Sequence, residues 1–63
     1  MENVTGTLDG NVRIGNAGIS RKLKEKGFVC TLCMLVDGRL IDVHVTKQQL
    51  IDLKGSIDSM LEE

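Results

Sequence analysis

Asp37-Gly38 stands between two eight-residue runs of strand-forming residues, VCTLCMLV and RLIDVHVT. Asp-Gly is a strong two-residue hairpin signal, because both central positions of the favoured turn need positive φ. A two-residue turn opposes Val36 with Arg39, Met34 with Ile41, Leu32 with Val43 and Cys30 with Val45. Nearly all of these are apolar. The other face opposes Leu35 with Leu40, Cys33 with Asp42 and Thr31 with His44. One apolar and one mixed face describe a half-covered antiparallel sheet. A three-residue loop would put Asp42 and His44 beside Leu32 and Met34, so register alone argues against it.

Other elements are read around this hairpin. In VTGTLDGNVRI, Asp9-Gly10 suggests an earlier hairpin with a three-residue loop, Asp9-Gly10-Asn11, which gathers Val4, Leu8, Val12 and Ile14 on one face. Ser20 is a candidate N-cap for a short helix, Arg21 to Lys26, and Gly27 suits the positive-φ position that ends it. Thr46 and Gln49 have the spacing of a capping box for a helix over 47–63. Leu50, Leu53, Ile57, Met60 and Leu61 form its apolar stripe, with a +3, +4, +3 rhythm over the first four that also suits a helix–helix seam. Gly55 lies opposite the stripe and offers a place for the helix to break, with Ser56 as a second cap. The expected order is β-β-α-β-β-α, a single small α+β domain over residues 1–63. Its antiparallel hairpins would be covered on one face by the C-terminal helix. Cys30, Leu32, Met34, Ile41, Val43 and Val45 would then meet Leu50, Leu53, Ile57 and Leu61.

Length constrains how such a domain is stabilised. A chain of 63 residues buries only about 60% of its unfolded surface, and scaffolds of this size usually add disulfides, a metal or a partner subunit. Two cysteines three positions apart supply no disulfide framework. Assembly with a second copy is therefore the expected source of extra stability. Formal net charge is −1, unevenly spread. In residues 1–31, Arg13, Arg21, Lys22, Lys24 and Lys26 outweigh Glu2, Asp9 and Glu25. In residues 32–63, six acids outweigh Arg39, Lys47 and Lys54. That asymmetry suits a self-complementary homodimer. The first twenty residues lack both a basic start and an apolar run, and no stretch has the length of a membrane span. A reducing, cytoplasmic setting with no membrane role is the expectation.

The candidate chemistry is sparse. Cys30-Thr31-Leu32-Cys33 has the spacing of a redox pair, yet such pairs work at helix starts. In a strand, residues three apart face opposite sides with Cα atoms about 10 Å apart, beyond disulfide reach. Cys30 is read as a packed core thiol. Cys33 shares its face with Asp42 and His44, a combination that suggests either a nucleophile with a base or part of a zinc site. One subunit offers at most three ligands there, so a metal would need Cys33 and His44 from two copies.

IGNAGISRKLK resembles the G-x-x-G loop of KH-type RNA-binding modules in its two glycines before a basic helix. Arg21, however, falls where that family has an apolar residue, and hairpins flank the segment. The basic 21–26 segment keeps nucleic acid as an alternative partner, although a single Phe and no Trp or Tyr leave little for base stacking.

These readings lead to no enzyme, no cofactor and no resident metal. The expected function is a protein-binding module, a small cytoplasmic homodimer that regulates or inhibits a larger protein. Its expected contact residues are Cys33, Leu35, Leu40 and His44 on the mixed face, with Arg21, Lys22 and Lys24 on the short helix.

Overall fold

The computed structural model describes residues 3–62 and has an α+β architecture. Strands β1 (Leu8–Gly15), β2 (Phe28–Val36) and β3 (Arg39–Thr46) form one antiparallel sheet in the order β1-β2-β3. Helix α1 (Arg21–Glu25) precedes β2, and helix α2 (Lys47–Leu61) follows β3.

The β2–β3 hairpin has the register expected from the Asp-Gly turn, from Val36↔Arg39 to Cys30↔Val45. Asp37 and Gly38 take φ of 49° and 79°, so both central residues are left-handed, as a type I′ turn demands. At the far end the ladder slips between Phe28 and Cys30, leaving Val29 unpaired. A single extra residue reverses the alternation. Phe28 therefore shares a face with Thr46 and His44, and its ring is tilted 60° to the His44 ring at 6.5 Å.

The first segment differs from the expected hairpin. The chain does not turn at Asp9-Gly10 but continues as β1 and pairs with β2, Leu8 opposite Val36 and Ile14 opposite Leu32. Asp9 opposes Leu35 and Arg13 opposes Cys33, so three residues, Gly10 to Val12, face Met34 alone. Gly10 takes φ of 72° within this bulge. Asp-Gly signals positive φ, and a bulge uses that conformation as readily as a turn does. Pairing on β2 also builds a three-stranded sheet, whereas an isolated hairpin is marginal in water. The order is thus β-α-β-β-α.

The bulge also ties the two Asp-Gly segments together. The Asp9 carboxylate accepts the Gly38 N–H at 3.1 Å. The Asp37 carboxylate accepts the Thr7 N–H at 3.3 Å, and the Asp37 N–H donates to the Thr7 carbonyl at 3.2 Å.

Both helices start as their sequences indicate. Ser20 Oγ accepts the Leu23 N–H at 3.2 Å, and Gly27 closes α1 with φ of 96°. Thr46 and Gln49 form the reciprocal capping box, at 3.2 Å to the Thr46 hydroxyl and 2.9 Å to the Gln49 side chain. Helix α2 runs unbroken through Gly55, and the Glu62 N–H bonds to the Asp58 carbonyl at 3.1 Å. Lys54 and Asp58 form an exposed i,i+4 ion pair at 3.3 Å.

The expected cover of the sheet by α2 is not seen. Among the described residues only Cys30 and Val45 are buried apolar side chains. Leu50, in the first turn of α2, is half-buried. Beyond it exposure climbs along the stripe, from 37% at Leu53 and 45% at Ile57 to 66% at Met60 and 78% at Leu61. Thr46 is at once the last residue of β3 and the N-cap of α2, so no loop lets the helix turn back over the sheet. The radius of gyration, 13.3 Å, is that of a compact domain of about 100 residues.

Candidate functional site

The mixed face of the sheet is built from three cross-strand rows. Nearest the Asp37-Gly38 turn, Asp9, Leu35 and Leu40 lie side by side. Arg13, Cys33 and Asp42 form the middle row, and Gly15, Thr31 and His44 the third. The face therefore gathers four of the expected contact residues, Cys33, Leu35, Leu40 and His44. It adds Asp9 and Arg13, which sequence reasoning missed. Reading Asp9-Gly10 as a turn sets Asp9 in a loop and leaves open whether the first segment joins this sheet. The alternation of Asp9, Arg13 and Gly15 was visible, but nothing local told the chain to pass through its own turn signal.

Arg21, Lys22 and Lys24 are exposed on α1, which rests against β2. This helix ends just before Phe28, seven residues along β2 from Leu35. At about 3.3 Å per residue Phe28 lies more than 20 Å along the strand from Leu35, whereas His44 lies beside Phe28. Phe28 is half-buried beside His44, so its ring is not a free stacking platform near the basic helix.

The polar groups of the face are arranged quietly. Thr31 Oγ1 and His44 Nδ1 are 3.0 Å apart, an ordinary cross-strand hydrogen bond. Cys33 is a partly exposed free thiol. Its pKa is raised, first by its hydrogen bond to Asp42, then by desolvation and by the Asp42 charge, with Arg13 opposing. A reactive cysteine needs the reverse, a neighbourhood that favours the thiolate. The histidine that would serve as its base is bonded to Thr31 through Nδ1. The residues are those of a nucleophile and base, but the geometry is that of a solvated sheet face.

Among the described residues no group of three His, Cys, Asp or Glu side chains is placed to hold a metal ion. The surface is shallow. One depression of about 340 Å³ lies over Arg13, Gly15, Thr31, Cys33 and Asp42. A smaller one, about 220 Å³, lies over Asp9, Arg13, Cys33, Leu35 and Leu40. Leu40, on the edge strand β3 opposite Leu35, is 70% exposed. No helix among the described residues is long and apolar enough to cross a membrane. No protein-family model, curated protein or solved structure matches this chain.

Proposed function

We propose that this chain is a non-catalytic protein-binding module, a cytoplasmic homodimer that regulates or inhibits a larger protein through the mixed face of its sheet. The supporting observation is the amount of surface that one protomer leaves uncovered. A folded monomer of 6.9 kDa exposes about 4,000 Å² by the usual scaling, whereas this protomer exposes 5583 Å². An obligate homodimer buries about 1,000–2,500 Å² per subunit, and the excess of roughly 1,600 Å² falls inside that range. Two free cysteines fit a reducing compartment. The raised pKa of Cys33 and the open character of its face favour binding over covalent chemistry.

Leu35 and Leu40 are the anchors of the target contact in this reading, because they are its exposed apolar pair. The test is affinity capture from the native host with wild type and with Leu35→Asp/Leu40→Asp, comparing one identified partner between them. Selective loss of that partner, with circular dichroism and dimer mass unchanged, supports the assignment. Equal capture by both proteins rules this face out as the target-binding surface.

A further inference from the structure

The protomer leaves two apolar surfaces open, and both start at the same junction. Along α2 exposure rises with distance from Thr46, reaching 45% at Ile57. Along β3 it rises in the other direction, from 8% at Val45 to 40% at Val43 and 38% at Ile41. Leu32 and Met34 on β2 share the Ile41 and Val43 face and are half-buried. A helix stripe and a sheet face are complementary partners in two-layer packing. Within one chain the direct strand-to-helix connection keeps them apart beyond the first helical turn.

Resting on the homodimer reading above, we infer that α2 of each protomer packs across the apolar sheet face of a second copy, Leu53 and Ile57 of one chain meeting Ile41, Val43, Leu32 and Met34 of the other. Two-fold symmetry repeats the contact, so both stripes and both sheets are covered and the assembly closes at two chains. The uncovered area matches what such an interface needs, as the roughly 1,600 Å² excess indicates. The mixed face, on the other side of each sheet, stays free for a target.

The deciding measurement uses unmodified protein. In an equal mixture of isotope-labelled and unlabelled chains, isotope-filtered NOEs are expected between Ile57 and Val43 methyls of different chains. A dimer whose inter-chain NOEs join only helix to helix or only sheet to sheet overturns this arrangement and leaves the homodimer standing. Sedimentation as a monomer overturns both. Complementation supplies a second reading. Ile57→Lys and Val43→Glu should each weaken self-association more than about tenfold, since each buries a charge in both copies of the contact. An equal mixture of the two should recover the dimer, because one contact then pairs Lys with Glu and the other is wild type. Either variant remaining dimeric alone, or the mixture remaining monomeric while both are folded, contradicts the helix-on-sheet contact.

Discussion

Cys30 and Cys33 show how little a short spacing says without the strand around it. They sit on opposite faces of β2, one buried and one partly exposed. Thiol probes should therefore label Cys33 in the native protein, while Cys30 waits for local or global opening. Mass spectrometry of a labelling time course checks that order, and simultaneous labelling would contradict it. With its pKa raised, Cys33 has a smaller thiolate fraction at any pH below that pKa, so it should react more slowly than a free model thiol. Asp42→Ala removes both the acceptor and the charge that hold the proton. It should lower the pKa and speed alkylation at neutral pH. At Gly6 the constraint is steric. A Cβ there would stand 2.5 Å from Val36 Cγ1 and 2.7 Å from Asp37 Oδ2. Gly6→Ala should cost about 1–3 kcal/mol through overpacking, read as a lower urea midpoint at unchanged slope.

At the scale of elements, α2 gives opposite predictions at its two special positions. A Cβ on Gly55 meets nothing within 4 Å, and the residue has ordinary helical geometry. Gly55→Ala should stabilise the protein by nearly 1 kcal/mol through helix propensity. Thr46→Ala removes the hydroxyl that accepts the Gln49 N–H and should cost about 1 kcal/mol. Thermal or urea unfolding distinguishes the signs. The caps, the Gly27 terminator and the β2–β3 register were legible because each depends on residues within a few positions of one another. The Asp9-Gly10 segment was not. Its local chemistry permits both a turn and a bulge, and the choice rests on β2, whose backbone offers β1 a partner about twenty residues away in sequence.

At the scale of the molecule, the chain exposes 5583 Å², with part of its apolar helix stripe and sheet face uncovered. If assembly supplies that cover, stability is tied to concentration by mass action. The melting midpoint should rise measurably with protein concentration in calorimetry, as it does for coupled folding and dimerisation. A midpoint independent of concentration over a hundredfold range would mean that the protomer is stable alone. The mixed face makes a separate demand. Its rows bring Asp9 and Arg13 beside Leu35 and Cys33, so this face carries more charge than the hairpin alone suggests.

The amino-acid sequence by itself determined the local grammar of this protein. Asp37-Gly38 set a two-residue turn, period-two alternation then assigned each β2 and β3 side chain to a face, and capping residues set where both helices begin. These are short-range matters of φ, hydrogen-bond satisfaction and side-chain direction. Only the tertiary structure decided that residues 8–15 form one strand, that Arg13 joins Cys33 and Asp42, and that α2 leaves the sheet after its first turn. Each of those outcomes depends on which distant backbone is free to pair and on the angle at which a strand with no loop passes into a helix. An apolar stripe records that a helix must be covered. What covers it is settled by where the chain can reach.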